Sequence, residues 1–196
     1  MPPNSQTGRL LLAPGAPERT PLAASVLAYL RETGFVGRPL DDEKADAFLV
    51  GDHFLQLITF MGCSPHIELA PPADGGSFCH IRVIGPLPEL QLMRGENTQP
   101  PRCGQCRGRL SHWQEEVVGW CAHPERADVL CPRCGHRQRP VDLGWRRNAG
   151  FGRLFVAVED IFPGEAVPVP SFLQGLQRAS GVAWDYFYIR DVTING

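Results

Sequence analysis

Cys103-Gly-Gln-Cys106 and Cys131-Pro-Arg-Cys134-Gly-His are the two segments that decide how the middle of this chain folds. Each contains a C-x-x-C turn, which aims two sulfurs at one point and offers backbone N–H groups to them. Two such turns supply four sulfur ligands in the tetrahedral arrangement that Zn²⁺ favours. The sequence therefore predicts one metal site formed by Cys103, Cys106, Cys131 and Cys134.

Glycines accompany both turns. Gly135 follows the second pair directly, and Gly108 lies two residues after the first pair. Because glycine adopts positive φ at little cost, both are expected to let the chain turn away from the metal. The turns are separated by 24 residues, 107–130, slightly more than the roughly 15–20 of comparable zinc sites. That length still fits a hairpin or a small three-stranded sheet.

The paired turns make residues 99–141 similar to the zinc ribbon, a small β module that is also related to rubredoxin. A four-thiolate site has no open position for water or substrate, so its expected role is structural. The metal would then hold together a segment too small to have its own core. Iron is the alternative, because Cys131-Pro-Arg-Cys134-Gly resembles a rubredoxin knuckle and an Fe(Cys)₄ centre carries electrons. Ligand softness and geometry fit both metals, and zinc is the expected one.

Prolines mark the boundaries of this module. Pro100-Pro101 and Pro140 flank it and predict an insertion into a larger domain. Near the N-terminus, the short apolar run Leu10–Leu12 allows one edge strand within a Pro- and Gly-rich segment. The predicted organisation is a mostly flexible leader (1–19), an α+β core domain (20–98 and 142–196) and a zinc-ribbon insertion (99–141).

About three helices are expected in the core domain. Thr20-Pro21 provides N-cap and N1 residues for a helix that ends near Thr33. Apolar residues at helical spacing predict a second helical stretch over 41–61, starting at the acidic pair Asp41-Asp42. Gly51-Asp52 is a candidate break in it, with Asp52 as the cap of the second part. A third helix is predicted from about Ser171 to Gly181.

Short β-branched and aromatic runs between turn residues predict strands. The first three should form an antiparallel meander, and the last has apolar residues on both faces, so it should be central or covered. The strand–helix–strand order at the C-terminus also allows a parallel pair. The fold class predicted is α+β, with a mixed sheet. The predicted strands are His66–Leu69, Phe78–Ile84, Leu90–Arg94, Leu154–Val158 and Trp184–Ile189 in the core domain, and Leu110–Trp113, Val117–Trp120 and Val129-Leu130 in the module.

Arginines and tryptophans are concentrated around the cysteines. Residues 100–153 carry ten arginines against five acidic residues, a local charge of +5 that leaves −7 on the rest of a chain whose net charge is −2. Arginines on phosphates with stacked aromatic rings are how single-strand binders engage nucleic acid. The favoured alternative is a solubilising surface that also offsets the −2 charge of a Zn(Cys)₄ site. The candidate residues for contact with nucleic acid or a protein partner are Arg107, Arg109, Arg133, Arg137, Arg139, Trp113 and Trp120.

No catalytic set converges on sequence evidence. Asp52 and His53 are neighbours on a predicted helix and would diverge by about 100°. A nucleophilic Cys63 would need a histidine within hydrogen-bond reach, which the sequence does not show. Cys121 and His123 fall short of the four ligands of a second metal site, so Cys121 is interpreted as a small apolar filler. A thiol reaction at Cys63 or Cys121 remains an alternative.

The cysteine count and the hydropathy pattern predict a cytoplasmic protein. Seven cysteines, four of them in C-x-x-C pairs, leave an odd number and indicate a reducing compartment. The N-terminus lacks a signal-peptide pattern, and no apolar run approaches the roughly 20 residues of a membrane span.

The leading functional hypothesis is a non-enzymatic, bacterial-type protein with a structural zinc site. Its module would bind a protein partner and act as an adaptor or accessory factor. The alternatives are a nucleic-acid-binding protein that uses the Arg-rich ribbon, and a rubredoxin-like Fe(Cys)₄ electron carrier.

Overall fold

A computed structural model describes residues 8–41, 46–61, 67–124 and 126–191. It confirms the α+β fold class, with four helices, a six-stranded sheet and three two-stranded sheets. The helices are α1 (Ala23–Glu32), α2 (Phe54–Leu57), α3 (Trp113–Ala122) and α4 (Pro170–Ser180). The strands are β1 (Gly8–Pro14), β2 (Val36–Pro39), β3 (Ala47–Val50), β4 (Ile58–Phe60), β5 (His80–Ile84), β6 (Gln91–Arg94), β7 (Val129–Leu130), β8 (Arg137–Gln138), β9 (Ala149–Gly152), β10 (Phe155–Ile161), β11 (Ala166–Pro168) and β12 (Trp184–Arg190).

The large sheet has the strand order β12-β1-β10-β5-β3-β2, and its paired strands are antiparallel. Strand β1 lies inside this sheet, between β12 and β10. Leu10, Leu11 and Leu12 are fully buried there, with Leu11 facing one hydrophobic cluster and the other two facing another. The strand that the sequence allows at Leu10–Leu12 is therefore present, but the prediction that it lies at the edge of the sheet is wrong. A strand that is buried on both faces has an unbroken run of apolar residues in its sequence.

Helices α1 and α4 cover one face of the sheet. The predicted third helix is confirmed, and Gly181 ends it with the positive φ of +72° expected of a C-terminal glycine. Helix α1 begins at Ala23, later than predicted. Its N-cap residue is Leu22, which makes no side-chain capping hydrogen bond, so Thr20 is not the N-cap. The two helices approach closely at Gly175, where an added Cβ would lie 2.0 Å from the Tyr29 hydroxyl oxygen.

The predicted second helical stretch, 41–61, is wrong over the described residues 46–61. That segment is interrupted at Gly51-Asp52 and forms β3, the single helical turn α2 and β4. Of the predicted start, Asp41 is not helical and Asp42 lies outside the described residues. Phe48 is fully buried in β3. Gly51 brings the backbone against Gly34, where a Cβ would lie 2.2 Å from the carbonyl oxygen. The apolar residues at helical spacing are thus divided between two strands and a tight turn.

The predicted meander is also wrong. Strand β5 lies between β10 and β3, and β6 pairs with β9, so the predicted neighbours do not pair with each other. Residues 67–69 form no strand, and His66 lies outside the described residues. The predicted strands over 78–84, 90–94 and 154–158 correspond to β5, β6 and β10, with ends shifted by up to three residues.

Strand β12, predicted over Trp184–Ile189, is confirmed as a strand but lies at the edge of the sheet. A loop covers its outer edge, since the Asn97 side chain bonds the backbone of Tyr188 and Arg190. Strand β12 pairs antiparallel with β1, and β11 pairs with β4, so the parallel pair that the C-terminal order allows is not formed.

Two of the strands predicted in the module are wrong: helix α3 takes the place of Val117–Trp120, and of Leu110–Trp113 only Trp113 lies in α3, while residues 110–112 form no strand. The buried residues of α3 are Trp113, Val117 and Trp120, spaced as one face of a helix. Glu115 and Glu116 lie in its first turn, where the helix dipole favours acidic side chains. The third predicted strand, Val129-Leu130, is confirmed as β7.

A second hydrophobic core surrounds α3 and the cysteines. It includes Leu92 on β6 and Phe151 on β9, so it continues beyond residues 99 and 141. The boundaries of the insertion remain a prediction. Within the described ranges, no helix is long and apolar enough to cross a membrane.

Candidate metal centre

The first knuckle of the candidate site is closed by two backbone hydrogen bonds. The Arg107 N–H donates to the Cys103 carbonyl at 3.0 Å, and the Cys103 N–H donates to the Gly108 carbonyl at 2.9 Å. The Gly108 N–H also donates to the Cys106 sulfur at 3.4 Å. This folds six residues around one point and leaves backbone N–H groups facing the sulfurs.

The second knuckle repeats the same pattern. The Gly135 N–H donates to the Cys131 carbonyl at 2.9 Å, and the Cys131 N–H donates to the His136 carbonyl at 2.9 Å. Gly135 has a φ of +71°, and Arg107, the equivalent residue of the first knuckle, has a φ of +60°. The positive φ predicted at Gly135 is confirmed, whereas in the first knuckle Arg107 carries it instead of Gly108. Two segments that are separated along the chain therefore share the same backbone hydrogen-bond pattern.

The four sulfurs converge as predicted. Those of Cys103, Cys106, Cys131 and Cys134 all lie within 4.8 Å of one another. The Cys103–Cys134 distance is 3.9 Å, and the Cys106–Cys131 distance is 3.6 Å. A tetrahedron with metal–sulfur bonds of about 2.3 Å has edges of about 3.8 Å. The donor set therefore fits a single metal ion with four thiolate ligands.

The electrostatics of the cluster differ from one sulfur to the next. The backbone N–H of Cys106 lowers the pKa of the Cys103 thiol to about 6. The backbone N–H of Cys134 likewise lowers the pKa of Cys131. At Cys134, the N–H of His136 acts in the same direction, but desolvation and the neighbouring thiols outweigh it and raise the pKa to about 12. Ionisation of all four neighbouring thiols is unfavourable because the thiolate charges repel one another. A divalent cation bound among them would offset this repulsion.

The cluster rests on the second hydrophobic core. Cys103 and Cys131 are 0% and 1% exposed and belong to that core, while Cys134 lies at the surface. Trp145 packs edge-on against both Trp113 and Trp120, and its indole N–H donates to a backbone carbonyl at 3.1 Å. The two inner cysteines are thus buried in the same core as these three tryptophans.

Gln138 connects the two knuckles, and sequence reasoning missed it. It is 8% exposed on β8, just after the second knuckle, and its side-chain oxygen accepts a hydrogen bond from the Gly104 N–H at 2.9 Å. A lone glutamine carries no motif signal, so only the folded structure reveals this contact.

The predicted contact residues separate into three groups. Arg107, Arg109 and Arg133 are exposed. Arg137 forms an ion pair with Asp128, the residue just before β7. Arg139 forms ion pairs with both Asp142 and Glu18. Trp113 and Trp120 are only 3% and 4% exposed, which corrects the expectation that they offer their rings to a partner. The local apolar core takes these rings because the module has few other large side chains.

The remaining histidines and cysteines do not form a second cluster within the described residues. Cys121 is half-buried against the second core, as expected of a packing residue, and burial raises its pKa. His112 lies at the surface, 3.5 Å from Glu115. His53 contacts the Thr33 carbonyl at 3.2 Å, and Cys63 lies outside the described residues.

Comparison with known proteins gives no match: no protein-family model, curated protein or solved structure is significantly similar to this chain. The class is therefore defined by the fold and the site alone. This is an α+β protein with a four-cysteine cluster that could bind a metal ion.

Proposed function

We propose that the four cysteines hold one zinc ion as a structural centre and that the protein is a non-enzymatic, protein-binding adaptor or accessory factor. The observation that carries the proposal is the geometry of the sulfurs, which lie within 4.8 Å of one another on two equivalent knuckles. Four thiolates complete the coordination of zinc and leave no position for a substrate.

A structural role is supported by where the site lies. The two inner cysteines are part of a hydrophobic core whose other members come from helix α3, from the short strands β6, β7 and β9, and from loops. A metal bound there contributes its binding free energy to folding, because the unfolded chain has no formed site. The adaptor role rests on the same feature, since a rigid module with a closed metal site presents a surface rather than a reaction centre.

The experiment compares Cys131→Ser with Cys121→Ser. The first variant removes a ligand, and the second removes a half-buried thiol outside the cluster. Zinc content is measured by mass spectrometry, and trypsin cleavage reports on folding of the arginine-rich module. Cys131→Ser should lose the metal and be cut rapidly within residues 99–141, while Cys121→Ser keeps both properties. Unchanged metal content in Cys131→Ser would refute the metal assignment.

The adaptor role has its own test. Crosslinking in the native cell, read by mass spectrometry, should yield a partner protein whose crosslinks map to residues 99–141 in the wild type and disappear in Cys131→Ser. Crosslinks that persist in Cys131→Ser, or a wild type that yields none in this module, would contradict the adaptor role.

The nucleic-acid alternative loses two of its supports. The tryptophans that would stack on bases are buried, and two of the five candidate arginines are paired with carboxylates. The iron alternative is distinguished by colour, because an Fe(Cys)₄ centre absorbs visible light and a zinc centre does not.

A further inference from the structure

Two arginines face each other directly at the base of the first knuckle. Arg102 and Arg109 are antiparallel bridge partners. The flanking hydrogen bonds are Cys103 N–H to Gly108 O at 2.9 Å and Leu110 N–H to Pro101 O at 3.0 Å, so this is a non-hydrogen-bonded pair. Side chains approach most closely in such pairs, and like charges placed opposite each other destabilise the strands.

Two further arginines join this pair. Arg102 donates from Nη1 to the Arg107 carbonyl at 3.4 Å. Arg133, from the second knuckle, lies across Gly108, where an added Cβ would be 3.0 Å from the Arg133 Cδ. The absence of a side chain at Gly108 thus lets an arginine of one knuckle lie against the other. We call these four residues the arginine face: Arg102, Arg107, Arg109 and Arg133.

The structure shows no acidic partner for the arginine face within the ranges it describes. Among the described residues, none of its four members forms an ion pair, although Arg137 and Arg139 nearby each form at least one. The Arg102 Nε is buried without a hydrogen-bond partner. Four arginines therefore lie on or against the first knuckle, and in the described part of the chain none of them is paired with a carboxylate, an arrangement that an external anion would stabilise.

Resting on the proposed adaptor function, we propose that the arginine face binds a short acidic segment of a protein partner. Guanidinium groups bind carboxylates through two parallel hydrogen bonds, which gives specificity as well as attraction. An acidic peptide is favoured over nucleic acid for two reasons. The tryptophans of the module are buried and offer no stacking surface. A long polyanion would also extend onto the remainder of the chain, which carries a net charge of −7.

The test uses the zinc-loaded full chain and two fluorescent probes at low salt. One probe is a peptide of about eight residues with four glutamates, and the other is a thymidine oligonucleotide of about eight nucleotides. Fluorescence anisotropy should show saturable binding of the peptide in preference to the oligonucleotide. Arg109→Gln should weaken peptide binding about threefold, the effect of one exposed ion pair. Arg137→Gln is the matched control, because its guanidinium is already paired with Asp128.

Three outcomes would overturn the proposal. They are no peptide binding, tighter binding of the oligonucleotide, and equal weakening by Arg137→Gln and Arg109→Gln, which would indicate net charge alone. Zinc affinity gives an independent readout. If Arg109 only offset the charge of the metal site, Arg109→Gln would lower zinc affinity, whereas a binding face predicts equal or higher zinc affinity because a like-charge contact is removed. Failure of these tests with normal zinc content and normal crosslinking would leave the adaptor function intact.

Discussion

Gly135 offers a test of how the second knuckle is built. Its φ is +71°, and an ideal Cβ there would have no heavy atom within 4 Å. Gly135→Ala therefore introduces no collision, and its cost comes from the left-handed backbone alone, about 1–2 kcal/mol. If folding of the module is coupled to zinc binding, as proposed, this cost should appear as zinc affinity about five- to thirtyfold weaker.

Gly119 provides the control with the opposite sign. It lies on the exposed face of α3, and an added Cβ would also have no heavy atom within 4 Å, but its φ is not positive. Gly119→Ala should stabilise the helix by about 0.5–1 kcal/mol and tighten zinc binding about two- to fivefold. Arg107→Gly, at the equivalent position of the first knuckle, should also tighten binding, by up to about fivefold.

The assay is competition for zinc with a chromophoric chelator at constant pH, using all three variants and the wild type. The test depends on whether each variant binds zinc more tightly or more weakly than the wild type, and not on the exact size of the change. If Gly135→Ala bound zinc as tightly as the wild type, or if both alanine variants shifted in the same direction, the reasoning about the knuckle would be refuted.

Three predictions concern the rest of the chain. Gly175→Ala should lower stability by at least about 2 kcal/mol in denaturant unfolding, because the new methyl group collides with Tyr29 2.0 Å away; a gain, as helix propensity alone predicts, would contradict the observed helix contact. Burial raises the pKa of Cys79 to about 12, so alkylation of native protein at pH 8 should be far slower at Cys79 than in unfolded protein, and equal rates would show that the thiol is accessible. Burial also raises the pKa of Tyr188 to about 12 from 10.0, so the unfolded state ionises first and stability should fall as the pH rises from about 10 to about 12; Tyr188→Phe should reduce that fall in a pH series of thermal unfolding, and an unchanged slope would contradict it.

The four-cysteine cluster could be predicted from sequence because its determinants are local. A C-x-x-C turn fixes two ligands within four residues, and only the meeting of two such turns needs the fold. Helix α4 could also be predicted from sequence, since Gly181 marks its end and its apolar residues follow a helical period. In both cases, residues close in sequence determine the structure.

The errors arose where tertiary contacts choose between two local structures. Over 46–61, the apolar spacing fits a helix, but the close approach of Gly51 to Gly34 requires a turn between strands. In α3, Trp113, Val117 and Trp120 favour strands by composition but share one buried helical face. The spacing of these three residues indicates a helix, whereas the strand prediction followed the β propensity of each residue.

The inner position of β1 depended on the rest of the fold. Leu10–Leu12 is a short run between Pro- and Gly-rich segments, and nothing local shows that the far end of the chain pairs with it. Strand β12, whose Phe187 aligns with Leu11, closes the sheet on that side. The mutual arrangement of the arginine face is non-local in the same sense, because Arg133 reaches Gly108 only when the knuckles meet.

Elemental analysis with a visible spectrum tests the central claim most directly. The protein should be purified under low oxygen without added metal, and the metal content of the wild type should be compared with that of Cys131→Ser. A structural zinc centre predicts about one zinc ion per wild-type chain, no visible absorption and loss of the metal in the variant. Stoichiometric iron with visible charge-transfer bands, or a wild-type chain that retains no metal, would contradict it.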